Sequence, residues 1–169
     1  MNVITAIQLA HELMNTHGIY QKGWRFKFDT SKRRFGCCNY THKIISLSRE
    51  LTILNSEARV KNTLLHEIAH ALVGSGHGHD HVWRAKAIEI GCDGERCYSS
   101  EHVNMAESKY KAVCQGCGRE YKRHRKPKMN SSCGRCSAGK YNEKFKLTYK
   151  TNQNGTIIKS KTLRLHQDA

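Results

Sequence analysis

A chain of 169 residues and 19.3 kDa has room for one compact domain and a small satellite, which excludes a large multidomain machine. Twenty-nine Lys and Arg against fourteen Asp and Glu leave a formal charge of +15. That imbalance predicts attraction to a polyanion, with nucleic acid the first candidate. A mean hydropathy of −0.69 and four Phe leave a modest apolar core, so something besides apolar burial is expected to help hold the chain.

The first 20 residues lack the basic cluster, apolar run and small-residue cleavage site of a secretory signal. No apolar stretch approaches the roughly 20 residues that cross a bilayer. The expectation is a soluble monomer without membrane contact, cytoplasmic or nucleoid-associated, or nuclear in a eukaryote. In such a reducing setting the eight cysteines read as metal ligands before disulfides, and zinc is the expected stabiliser.

Ile4, Ile7, Ala10, Leu13 and Met14 recur at helical spacing, and Gly18 follows as a stop. Trp24, Phe26 and Phe28 then alternate with Arg25 and Lys27, and 35–40 and 44–47 complete two or three expected antiparallel strands. The alternation makes the three aromatics core rather than a stacking platform. Asn55 or Ser56 caps a second helix reaching about Val73, with Val60, Leu64, Ile68 and Ala71 or Leu72 inward. A third helix is expected over 79–90, with Val82, Trp83 and Ala87 inward and Gly91 as its stop. Composition shifts near residue 105: residues 107–169 hold sixteen Lys or Arg against four acidic residues. The expected division is a domain over 1–105, a basic module over 106–150 with short strands at 110–113, 120–122 and 144–149, and a polar tail over 151–169 that is a loosely held strand or disordered.

His66-Glu67-Ile68-Ala69-His70 on the second helix matches His-Glu-x-x-His. Residues four apart lie one turn above each other, so both imidazoles reach one metal and Glu67 reaches a water on it. Catalytic zinc takes three protein ligands and a water, whose pKa falls toward roughly 7; Glu67 is then the candidate general base. For the third ligand His77, His79 and His81 compete, and helical direction favours His79, with Trp83 packing on the same side.

Asn62 to Leu72, a glycine-containing connection, and then Gly78-His79-x-x-x-Trp83 resemble the SprT-like (Spartan-type) zinc metallopeptidase domain. The resemblance extends over about residues 1–150. It implies an α+β, zincin-like minimal peptidase domain of helices on a small antiparallel sheet, with His66, His70 and His79 as ligands. It also implies hydrolysis of peptide bonds in DNA-bound or DNA-crosslinked proteins.

Cys114-x-x-Cys117 and Cys133-x-x-Cys136 supply four thiolates to a second, structural zinc, giving one catalytic and one structural ion. Such a zinc ribbon needs its ion to fold. Between the knuckles Arg119, Tyr121, Lys122, Arg123, Arg125, Lys126 and Lys128 form a basic run that suits phosphates, with Tyr121 placed to stack on a base. No base-reading pattern accompanies them, so binding without sequence specificity is expected. Cys92 and Cys97 could meet across a turn, although buried free thiols fit better; Cys37 and Cys38, adjacent on a strand, face opposite ways and cannot chelate together. The competing function is a zinc-containing DNA-binding adaptor without catalysis.

Overall fold

A computed structural model of the chain describes residues 1–96 and 103–152. Cys97 and the tail beyond 152 lie outside the described residues. The chain divides into two compact units between Ala106 and Glu107. The class is α+β followed by a small four-cysteine β module. No helix of the described residues is long and apolar enough to cross a membrane.

In the first unit α1 (Val3–Thr16) begins at Asn2, whose side chain accepts from the Ile4 N–H. Its buried face is Ala6, Ala10, Leu13 and Met14, while Ile4 and Ile7 point to solvent, contrary to the apolar stripe read from spacing. Small alanines let α1 lie close to its neighbours, and that close approach sets the inward face in place of the larger isoleucines.

Three strands follow: β1 (Arg25–Asp29), β2 (Gly36–Asn39) and β3 (Ile44–Ser48). The sheet order is β1-β3-β2, with β2 antiparallel and β1 parallel to β3. The expected all-antiparallel arrangement is therefore corrected to a mixed one. The loop 30–35 carries the chain past the place beside β1, so the β2–β3 hairpin returns with β3 in the middle. Asp29 anchors this loop by accepting from the Ser31 N–H at 2.9 Å, the Ser46 hydroxyl at 2.8 Å and Arg34 at 2.8 Å. Trp24 is buried, and Phe26 and Phe28 meet each other edge to face and pack against the same core.

Ser48 caps α2 (Arg49–Leu54), a short helix that the sequence pattern did not signal. Ser56 caps α3 (Glu57–Val73), which buries Val60, Leu64, Leu65, Ile68 and Ala69. Gly74, at φ 91°, ends it in a conformation that side chains disfavour. Asp80 caps α4 (His81–Glu89), so this helix starts two residues later than expected and leaves His79 ahead of it. Residues 103–106 return to this core, where Asn55 and the Asn104 backbone exchange hydrogen bonds of 2.9 and 2.8 Å.

The second unit pairs β4 (Tyr110–Val113) with β5 (Glu120–Arg123) and β6 (Lys150–Thr151). The strand expected over 144–149 is instead a 3-10 turn, Glu143–Phe145, and the third strand comes just after it. Asn142 accepts from the Lys144 N–H and starts that turn, which an alternation of apolar residues alone does not reveal.

Candidate functional site

Residues 59, 62, 63, 66, 67 and 70 form one stripe of α3, and this stripe lines a cleft of about 640 Å³. β2 and the loop before it face the stripe, and the α3–α4 connection and residues 93–96 complete the lining. Within the cleft His66 Nε2 lies 3.0 Å and His70 Nε2 3.2 Å from His79 Nε2. Tetrahedral ligands 2.0–2.1 Å from a zinc ion stand about 3.3 Å apart, close to both spacings. Trp83 supports all three rings, with centroids 4.6, 5.2 and 4.6 Å from those of His66, His70 and His79.

Nitrogen chemistry also fits a metal. The His66 ring hydrogen-bonds the backbone of Glu95, and the His70 ring that of His77. With Nε2 turned into the cluster, Nδ1 is the donor to those carbonyls, and the Nε2 lone pairs of His66 and His70 both point at His79. Converging acceptors repel unless a cation lies between them. Burial first, and neighbouring imidazoles second, push His66 and His70 down to about 4, the neutral form that binds metal. Burial and Arg96 lower His79 as well.

His79 is thus the third member of the cluster, although it precedes the α4 cap and is not in that helix's first turn. His77 Nδ1 lies 2.8 Å from Asp80 Oδ2, and His81 is exposed as the first residue of α4. Asp80 itself receives the Val82 and Trp83 N–H groups at 3.0 Å, which fixes where the connection ends and α4 begins.

Glu67, 8% exposed, sits between α3 and β2. Burial pushes its carboxyl up to about 7 against the opposing pull of Arg34 and the Cys38 backbone N–H. Gly36 makes this seat possible: a Cβ there would stand 2.6 Å from Glu67 Oε1 and 2.8 Å from its Cγ. The sequence reading missed Gly36, and a lone strand glycine carries a weak signal of close approach. It also missed Tyr40, whose hydroxyl donates to the His70 carbonyl at 3.3 Å, and the backbone partners of His66 and His70.

In the ribbon Cys114, Cys117, Cys133 and Cys136 converge. Their Sγ atoms stand 3.8 Å (Cys114–Cys136) and 3.6 Å (Cys117–Cys133) apart, against about 3.8 Å for a tetrahedron of 2.3 Å zinc–sulfur bonds. The Gly116 N–H points at Cys114 Sγ, and the Tyr121 hydroxyl donates to Cys133 Sγ at 3.1 Å. Tyr121 is therefore part of the ribbon's small core, with Arg119 over its ring at 5.8 Å. Lys122 lies 3.8 Å from Glu120, whereas Arg123, Arg125, Lys126 and Lys128 have no carboxylate within 4 Å among the described residues. Cys92 is buried with its thiol toward the Asn62 carbonyl, and Cys37 and Cys38 are half-buried on β2.

An α+β unit whose long helix, with the connection that follows it, brings three imidazoles and a buried carboxylate to one cleft has the build of a metallopeptidase-like domain. A model of the SprT-like family matches residues 5–105, more than half of the chain, and the chain belongs to that family. Comparison with curated proteins gives no match.

Proposed function

We propose that the chain is a zinc metallopeptidase that hydrolyses peptide bonds of proteins bound or crosslinked to DNA, with the ribbon holding it on nucleic acid. The observation that carries the reading is the pairing of three converging Nε2 atoms with a buried Glu67 whose carboxyl is pushed up to about 7. A zinc ion on His66, His70 and His79 would supply a Lewis acid for the scissile carbonyl and lower the pKa of water. Glu67 is basic enough near neutral pH to take the proton of the attacking water on a carboxylate oxygen and return it to the leaving amine nitrogen.

β2 supplies a place for the substrate. It is an edge strand, and the Ser48 N–H donates to the Phe35 carbonyl, so alternate residues 35, 37 and 39 pair inward. Gly36 and Cys38 then turn their backbone groups outward; the Cys38 N–H meets Glu67, and the remaining outward groups can pair with an extended peptide added as a further strand. The surplus charge of the ribbon, with Arg123, Arg125, Lys126 and Lys128 free of carboxylates within 4 Å among the described residues, supports DNA as the docking partner, read through phosphates and without sequence preference.

The test is the Glu67→Gln variant against a protein crosslinked to an oligonucleotide. Loss of cleavage with bound zinc and DNA affinity unchanged is expected. Failure of the zinc-loaded wild-type protein to cleave with single-stranded, duplex or no DNA would leave a metal-stabilised adaptor instead.

A further inference from the structure

Resting on the metallopeptidase reading, we propose that Arg59 selects substrates carrying an acidic side chain two or three residues from the scissile bond. Arg59 shares the cleft-lining stripe of α3 with Thr63, His66 and His70. Seven residues before His66 places it within about 20° of the same azimuth and about 10 Å away along the axis. An extended peptide rises about 3.3 Å per residue, so three residues span that distance, and the long arginine side chain brings the second within reach.

Nothing in the fold asks for a cation at this position. Ser56 caps α3, accepting from the Arg59 N–H at 3.4 Å, which makes Arg59 the third residue of the helix. A glutamate there would complete a capping box and suit the positive end of the helix dipole, whereas a cation opposes that dipole. No carboxylate lies within 4 Å of Arg59 among the described residues. A position that breaks a local rule without a compensating contact marks a functional demand.

The other charges of the cleft leave the same vacancy for a carboxylate. Asp93 is held by Asn62 through hydrogen bonds of 2.8 and 2.9 Å, and Glu95 lies 3.7 Å from Arg84. Arg34 is paired with Asp29, while Arg33, on the wall facing α3, and Arg96, close enough to His79 to lower it, have no carboxylate partner among the described residues. A guanidinium takes a carboxylate through two parallel hydrogen bonds, and an Asp or Glu side chain of the peptide is the complement. Arg59 stands in line with the imidazoles, along the path a peptide follows to bring its carbonyl to them, which favours peptide over phosphate as its ligand.

The experiment digests a mixed peptide library with zinc-loaded full-length protein and reads cleavage positions by mass spectrometry. Several-fold enrichment of Asp and Glu at one position two or three residues from the cut is expected. Arg59→Lys should retain part of it, and Arg59→Glu should abolish it or shift it to Lys and Arg; the glutamate completes the Ser56 capping box, so this variant folds. Cleavage without acidic enrichment, or enrichment unchanged in Arg59→Glu, overturns the inference and leaves the peptidase reading standing. Binding gives a readout independent of turnover. In the Glu67→Gln background a fluorescein-labelled acidic decapeptide should bind about fivefold tighter than its glutamine twin, with the difference lost on adding Arg59→Glu. Equal affinities overturn the inference even if no peptide is cut. A single-stranded oligonucleotide losing more affinity than the acidic peptide on Arg59→Glu assigns the arginine to phosphate and overturns it too.

Discussion

Gly36→Ala tests whether the seat of Glu67 on β2 is as tight as the geometry states. The added Cβ stands 2.6 Å from Glu67 Oε1, 2.8 Å from its Cγ and 2.9 Å from Thr63 Cγ2. Carbon contacts are optimal near 3.5–4.0 Å, so the carboxylate must retreat by about 1 Å. β2 cannot yield instead, because it is paired with β3 along its length and tied at its start by the 2.7 Å bond from the Ser48 N–H to Phe35. Overpacking of this kind costs about 1–3 kcal/mol. A catalytic group misplaced by about 1 Å loses about a hundredfold in rate, which is the expected fall in kcat/KM. Urea unfolding followed by tryptophan fluorescence reads the stability, since Trp24 and Trp83 are the chain's two tryptophans and both are buried in the first unit. Zinc content should not change, because the clash falls on Glu67 and Thr63 and spares the imidazoles. Stability and peptide cleavage within threefold of wild type would refute the reasoning, since Glu67 would then not rest against Gly36.

Metal analysis should find two zinc ions per chain, and chelation should unfold the ribbon while tryptophan fluorescence of the first unit persists. The ribbon's buried set is Ala112, Leu147 and two of its own ligand cysteines, against twenty residues in the first core. Asp29→Asn should destabilise the first unit by about 1 kcal/mol and flatten its acid-side pH dependence. Burial raises the Asp29 carboxyl, but hydrogen bonds from Ser31, Ser46 and Arg34 outweigh it and hold the group below its usual 3.8. With the folded value depressed, the stabilisation is present above 3.8 and disappears as pH falls through the folded value, so wild type and variant converge in acid. Neutralising Arg123, Arg125 and Lys126 together should reduce the slope of log affinity for DNA against log salt by about 2 to 3, read by fluorescence anisotropy. An unchanged slope would move the DNA contact off this loop.

The two candidate metal clusters were legible from spacing because their paired ligands are local. One turn of α3 aligns His66 with His70, and each C-x2-C knuckle aims two thiolates by itself. The cap of α3, read as Asn55 or Ser56 and found at Ser56, and its glycine stop were legible for the same reason, since a helix end depends on a few neighbouring residues. Pattern failed where the deciding partner is distant in the chain. Spacing cannot say that β1 lies parallel to β3, because that follows from the path of the loop 30–35 and its latch on Asp29. The outward turn of Ile4 and Ile7 depends on what α1 packs against, and the 3-10 turn at Glu143–Phe145 on an Asn142 side-chain bond. His79 was favoured from the sequence for a place in the first turn of α4, but the folded connection puts it ahead of that helix, where Asp80 occupies His77 and sets the start of α4. The same holds for Glu67: its place beside His66 is written in the chain, but its burial and its raised carboxyl come from β2 closing over it at Gly36, a contact between segments 31 residues apart.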